Sequence, residues 1–301
     1  MNTLITIVGP TAIGKTALSI QLAQHFNCDI LSCDSRQFYK EMTIGTAVPE
    51  PEELAAAQHY FIQNRSVFED YNVGSFEKDA LKTLDELFLK KPVQIMVGGS
   101  GLYVDAVLKG LNFFPEVDPN IRPTLTSELE TNGILSLQNK LKELDPVTYQ
   151  NIAITNPHRL IRALEICIGT GKPYSSFVNK EKEPRNFKSI KIGLIADREI
   201  IYDRINQRVD IMMKNGLLEE AKSLYPYKHL NALQTVGYRE LFEYFDGNCD
   251  LDFAISEIKK NSRRFAKRQL TWFRRDPETI WFNFKDDKKI IIDKITETLI
   301  S

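Results

Sequence analysis

Apolar residues fall into two kinds of run along this chain. Leu4-Ile5-Thr6-Ile7-Val8, Asp29-Ile30-Leu31-Ser32 and Val93-Gln94-Ile95-Met96-Val97 are short and rich in branched side chains. They read as strands of a parallel sheet covered on both faces. Ser189-Ile190-Lys191-Ile192-Gly193-Leu194-Ile195 alternates and predicts a further strand, while 59–63 and 279–284 predict short ones, the latter at an edge. Between them the period changes to that of a helix. Over 76–89 it turns Phe76, Ala80, Leu84, Leu87 and Phe88 to one side. Helices are also expected over 52–58, 199–214 (closed by Asn215-Gly216), 218–224 and 290–300. Strand and helix in alternation predict an α/β fold, a parallel sheet flanked by helices. From 115 to 184 the pattern is helical and poor in strands, with helices expected over 121–132, 135–144, 157–168 and 174–179. That segment reads as a helical insertion domain in a core of 1–114 and 185–301.

The first strand runs into Gly9-Pro10-Thr11-Ala12-Ile13-Gly14-Lys15-Thr16, which fits G-x-x-x-x-G-K-[ST]. Glycines let the backbone wrap so that several N–H groups point at one anion. Lys15 adds a point charge, the Thr16 hydroxyl can reach Mg²⁺, and the following helix turns its positive end to the same place. The core is thus P-loop NTPase-like. The motif specifies an oligophosphate, and a diphosphate ester would fill it as well as ATP.

Asp34 follows the second strand, where the carboxyl edge of an open α/β sheet faces the ligand. It could hold Mg²⁺, accept a proton or cap the next turn. The strand ending at Val97 is followed by Gly98-Gly99-Ser100-Gly101 and lacks the terminal acid of many motor and switch NTPases. Residues 258–275 carry Lys259, Lys260, Arg263, Arg264, Lys267, Arg268, Arg274 and Arg275 and no acid. On a helix all of these share one half, with Ile258, Phe265, Trp272 and Phe273 on the other. In a protein of net charge −1, such a face suggests a docked polyanion. Arg159 and Arg162, and again Arg204 and Arg208, each share a helix face.

Bulk properties exclude other classes. The chain has 301 residues, 43% apolar and 26% charged, with no apolar run long enough to cross a membrane. It enters its first strand at once, so no signal peptide is expected. Cys28, Cys33, Cys167 and Cys249 lack metal or disulfide spacing and read as free thiols in a reducing cytoplasm.

Taken together these segments resemble the tRNA dimethylallyltransferase (tRNA isopentenyltransferase) family over essentially the whole chain. The likeness is carried by the phosphate loop, by Cys33-Asp34-Ser35-Arg36-Gln37-Phe38-Tyr39 with Ile44-Gly45-Thr46-Ala47, and by Gly98-Gly99-Ser100-Gly101-Leu102-Tyr103. It continues through Asp118-Pro119 with Arg122, Arg159-Leu160 with Arg162-Ala163-Leu164-Glu165, Arg204 with Arg208, Val236-Gly237-Tyr238-Arg239, and Lys267-Arg268-Gln269 before Thr271-Trp272-Phe273-Arg274. Ile13 and Ser100 depart from the family's usual Ser and Thr. The resemblance implies transfer of a dimethylallyl group from dimethylallyl diphosphate to the exocyclic amine of the adenosine 3′ of the tRNA anticodon. It implies diphosphate binding by Gly9, Pro10, Thr11, Ala12, Ile13, Gly14, Lys15 and Thr16, with Mg²⁺ on Thr16. Catalysis would fall to Asp34, Arg208, Lys15 and Thr16. Contacts to the anticodon stem-loop would come from Asp34, Ser35, Arg36, Gln37, Ser100, Arg122, His158, Arg159, Leu160, Ile161, Arg162, Gly237, Arg239, Lys267 and Arg268. A cytoplasmic monomer is expected, with no membrane partner and no zinc site. The residues by themselves also allow a P-loop kinase, a prenyltransferase of free adenine nucleotide, or a non-enzymatic phosphate-binding module.

Overall fold

The computed structural model describes residues 1–178, 180 and 182–300. The chain divides into two compact units, Met1–Lys109 with the segment from Arg185 onward, and Gly110–Pro184. Asn179, at the end of the helix expected over 174–179, lies outside the described residues; the turn that forms there is a short 3₁₀ helix, Tyr174–Phe177.

Among the described residues the first unit is built on a six-stranded sheet: β1 (Thr3–Val8), β2 (Ile30–Ser32), β3 (His59–Tyr60), β4 (Val93–Val97), β5 (Lys188–Ile195) and β6 (Ile280–Asn283). The order is β3-β2-β4-β1-β5-β6, every neighbouring pair parallel. All six residues of β1 are buried. Their alternation sends Ile5 and Ile7 to one face, packed with Leu18, Leu22, Ile201, Ile205, Ile291 and Ile295. Leu4 and Val8 go to the other, with Phe76, Leu84, Val104, Val107 and Phe273. Helix Val73–Phe88 buries Phe76, Ala80, Leu84, Leu87 and Phe88, the stripe its period predicts. Because all strands are parallel, the loops after β1, β2, β4 and β5 leave one edge of the sheet, and the site forms there.

The alternating run forms β5 as expected, and its residues 190–194 are all buried. β5 lies between β1 and β6, and Lys191 is buried because its ammonium pairs with Asp276 at 2.6 Å. The basic stretch also belongs to a longer helix, Leu251–Phe273, whose N-terminus is capped by Asp250 accepting from Phe253 N–H at 2.7 Å.

The second unit packs helices Ile121–Asn132, Ile134–Leu144, Pro146–Asn151 and Pro157–Thr170 around Leu125, Leu137, Leu141, Leu160 and Leu164. The helix Pro146–Asn151 is not foreseen by apolar periodicity, although Asp145-Pro146 is a cap followed by an N1 proline. Asp145 is buried and also accepts from the Ser175 backbone and hydroxyl at 2.7 and 3.0 Å. Burial would raise its pKa, but these bonds and those from Thr148 outweigh it and lower it.

The Lys191–Asp276 pair yields a stability prediction. Burial opposes ionisation of Asp276, but Lys191 and Lys109 prevail and hold its pKa at about 2. The folded value lies below the unfolded one, so the stabilisation is complete above about pH 4 and is lost between about pH 4 and 2. Asp276→Asn leaves the Lys191 charge buried without a counter-ion and should cost roughly 3 kcal/mol. Denaturant melts at pH 7 and pH 3 check this: the gap between variant and wild type should narrow at the lower pH.

Candidate active site

The loop after β1 is shaped by three residues of positive φ: Gly9 at 146°, Ala12 at 64° and Gly14 at 108°. Gly9 also has no room for a side chain, because a Cβ would stand 2.8 Å from the Leu194 carbonyl oxygen. Helix Lys15–Phe26 begins directly after Gly14. Lys15 bends back, its Nζ donating to the carbonyls of Gly9 at 3.1 Å and Pro10 at 2.8 Å. Arg204 Nε donates to the Ala12 carbonyl at 2.7 Å.

Two cavities meet at this edge of the sheet. One, of about 810 Å³, is lined by residues 11–17 together with Gln37, Glu53, Arg204 and Arg208. The other, of about 630 Å³, is lined by Ser35, Arg36, Ser100, Tyr103, Gly237, Arg239, Phe265, Arg268 and Trp272. Thr11, Asp34, Thr46, Ala47, Arg208 and Met212 line both. Asp34 caps its own turn, its Oδ1 accepting from Arg36 N–H at 3.1 Å. The cap and the site position are therefore not alternatives: the same carboxylate does one and stands in the other.

Charge is concentrated where the cavities join. Burial lowers the Lys15 pKa to about 8; Asp34 opposes the shift and Arg208 adds to it. Burial, then the neighbouring Arg204, makes Arg208 less basic than a free arginine, against the pull of Asp34 and Glu53. Three cations share one small region, so a multiply charged anion would relieve their repulsion.

The second cavity gathers Asp34, Ser35, Arg36, Ser100, Gly237, Arg239 and Arg268 from the residues singled out in the sequence. Ser35 and Ser100 are joined through their hydroxyls at 3.1 Å. Several expected contacts take other roles. Gln37 lines the first cavity instead, and its amide donates to the carbonyls of Thr46 at 3.2 Å and Ala47 at 2.8 Å. The Arg36 guanidinium donates to the carbonyls of Asn231 at 3.1 Å and Ala232 at 2.9 Å. Leu160 and Ile161 are buried in the core of their own unit, so their side chains meet no ligand there. Arg122 and Arg162 both bind the buried Glu165, at 2.7 and 2.8 Å. His158 and Arg159 remain exposed on the same helix. Gly9 and Pro10 are buried beneath the loop, leaving Thr11 to Thr16 as the cavity wall.

The basic helix is less uniform than its sequence suggests. Lys259 pairs with Asp210 and Lys260 with Glu257, at 2.6 and 2.7 Å. Arg263 donates to Asn206 at 2.7 Å. Lys267, Arg268 and Arg274 are exposed and make no ion pair among the described residues. Phe265 is 38% exposed, not buried, because this helix forms a wall of the second cavity.

Gln269 has no role in the sequence reading. It is 5% exposed, accepts from Thr11 N–H at 2.8 Å and donates to the Gly99 carbonyl at 2.9 Å. A polar residue on the apolar side of the helix was the available signal. Trp272 is fixed by its Nε1–H donating to Asp105 at 2.9 Å, and Gly101 leaves space for its ring, 2.4 Å from where a Cβ would be. The described residues contain no cluster of three or more acidic, His or Cys side chains able to hold a metal.

The family model described as IPP transferase matches residues 37–276. A protein of Flavobacterium psychrophilum named tRNA dimethylallyltransferase is 63% identical over 301 residues, 98% of each chain. The crystal structure of a full-length tRNA isopentenylpyrophosphate transferase from Bacillus halodurans superposes with a TM-score of 0.74 at 37% identity, covering 100% of this chain and 96% of that one. A eukaryotic dimethylallyltransferase, described as acting on tRNA, gives a TM-score of 0.79 at 27% identity, over 95% of this chain and 75% of that one.

The lowered pKa of Lys15 predicts how the first cavity binds inorganic diphosphate. Affinity should fall about tenfold between pH 7 and 9 relative to Lys15→Arg, since the free lysine loses its proton near pH 8. Titration calorimetry of both proteins checks it, and the comparison cancels the ionisation of diphosphate itself.

Proposed function

This chain belongs to the IPP transferase family, together with the tRNA dimethylallyltransferases, and on that premise we propose that it moves the dimethylallyl group of dimethylallyl diphosphate onto the exocyclic amine of the adenosine 3′ of a tRNA anticodon. The observation that carries the reading is Asp34, which lines both cavities. On one side lies the phosphate loop; on the other lies a space bordered by aromatic rings and exposed arginines.

The donor enters the first cavity with its diphosphate on Lys15, Thr16 and Arg208. The adenine leaves the anticodon stack and enters the second, where Tyr103, Phe265 and Trp272 offer surfaces for a base. At the junction the amine nitrogen attacks the allylic carbon. An N–C bond forms, the C–O bond to diphosphate breaks, and Asp34 takes the proton released by nitrogen. Lys15 and Arg208 offset the charge that builds on the departing oxygen.

The protein's donor set fits Mg²⁺. With the Thr16 hydroxyl as its protein ligand and no carboxylate cage, an ion here would take most of its oxygens from diphosphate and water, the arrangement Mg²⁺ favours. When bound it would neutralise part of the leaving-group charge.

Exposed Lys267 and Arg268 on the helix Leu251–Phe273, and exposed Arg159 on the helix Pro157–Thr170, supply cations for an RNA backbone, with the His158 ring exposed beside Arg159. We assign the reaction to the cytoplasm. All four cysteines are free thiols, as a reducing compartment keeps them.

Mass spectrometry of tRNA nucleosides after incubation with dimethylallyl diphosphate should find isopentenyladenosine; its absence with an intact, folded protein would refute the reading. Asp34→Asn should lower single-turnover transfer by roughly a hundredfold, the scale of a general base, with stem-loop binding nearly intact. Reversing Lys267 and Arg268 to Glu should raise the apparent KM for an anticodon stem-loop and flatten the salt dependence of its binding by a slope of about 1.5. The KM for the donor should hardly move. A normal melt with wild-type RNA affinity would show that this helix is not the docking surface.

A further inference from the structure

Thr46 and Ala47 line both cavities, so residues 43–47 form a shared wall. The wall has no strand or helix of its own, and Ala47 has a φ of 51°, a conformation that costs energy for a residue with a Cβ. It is held by side chains from elsewhere. The Glu220 carboxylate accepts the backbone N–H groups of Thr43 at 3.0 Å, Ile44 at 2.8 Å and Gly45 at 2.9 Å. It also accepts the hydroxyl of Tyr238 at 2.6 Å. The Tyr238 ring occupies the place of a side chain at Gly45, where a Cβ would stand 2.6 Å from it. Beyond Gly45, Gln37 binds the next two carbonyls. A clamp this complete on an irregular segment fixes its position, because releasing it breaks four hydrogen bonds to one carboxylate at once, three of them half-buried.

We propose that Glu220 is a positioning residue that sets the length of the prenyl group this enzyme accepts. The inference rests on the proposed reaction. There, the allylic carbon lies at the junction, and the apolar remainder of the donor must run along residues common to both cavities, of which Ala47 and Met212 are the apolar ones. A five-carbon chain is short enough to rest against these two side chains, whereas a ten-carbon chain reaches farther along residues 43–47, whose position the Glu220 clamp fixes.

The test is a competition. Equal concentrations of dimethylallyl and geranyl diphosphate are offered with an anticodon stem-loop, and the two products are counted by mass spectrometry. The product ratio does not depend on the fraction of active protein, so simple instability leaves it unchanged. Glu220→Gln, which replaces one acceptor oxygen by a donor facing backbone N–H groups, should lower the preference for the five-carbon donor by about tenfold or more, the discrimination a pocket draws from a methylene or two. Gly45→Ala should do the same without altering Glu220, by driving the wall off the Tyr238 ring. Tyr238→Phe keeps the ring and the three backbone donors and should shift the ratio less. A wild-type ratio in both Glu220→Gln and Gly45→Ala, with or without lost stability, overturns the proposal. A wild-type protein that transfers neither group would instead overturn the reaction on which it rests.

Discussion

The carboxamide of Gln269 ties the site together. Its oxygen takes the backbone N–H of Thr11 in the phosphate loop, and its nitrogen gives to the carbonyl of Gly99 after β4. The loop, the turn and the long helix are thereby fixed to one another through a single buried side chain. Few residues could replace it. The position needs an acceptor and a donor on one short planar group, and leaving either backbone partner unmet in the interior costs about 1–3 kcal/mol. It also needs glycine at 99, because a Cβ there would come within 2.2 Å of the amide nitrogen. The cavity walls that descend from these segments, Thr11 on one side and Gly99 and Trp272 on the other, inherit that rigidity.

Features set by local pattern were legible in the sequence. The buried strands, the phosphate loop with its helix, and the inward stripe from Phe76 to Phe88 follow from period and spacing. What stayed hidden was the identity of partners. A motif names a residue type at a position but not the direction of its side chain. Gln37 and Arg36 sit in a segment that faces the site, yet each spends its side chain on neighbouring carbonyls. Leu160 and Ile161 fall within a basic motif, but their helix turns them inward. Lys191 is a polar residue in an alternating run, and nothing local shows that Asp276, 85 residues away, makes its burial tolerable. Gln269 and Glu220 act on backbone atoms far along the chain, a role no local pattern encodes.

The same distinction reshapes the electrostatics. A count of basic residues on the helix Leu251–Phe273 overstates the free field, because Asp210 and Glu257 offset two of its cations, while Asn206 holds the Arg263 guanidinium in place. Glu165 likewise engages Arg122 and Arg162 in the other unit. What remains for a partner is narrower: exposed Arg264, Lys267 and Arg268 along the helix, with Arg274 and Arg275 beyond them. At physiological ionic strength an exposed charge reaches only about 8 Å. Engagement of RNA by this face, as proposed, would therefore depend on contact geometry more than on long-range attraction, which suits a protein whose net charge is −1.

The meeting of two cavities at Asp34 has a consequence for fidelity. Each cavity opens to solvent, so water can approach the shared residues from either side. An allylic centre activated at the junction is as open to hydroxyl as to amine, and an idle turnover would squander the donor. In the proposed arrangement the stoppers are the reactants: the diphosphate would close one mouth and the nucleic acid the other, leaving the junction dry only with both seated. Waste is then suppressed by occupancy rather than by a moving part, and the leak rate of such a catalyst is governed by how seldom one mouth is filled while the other stands open.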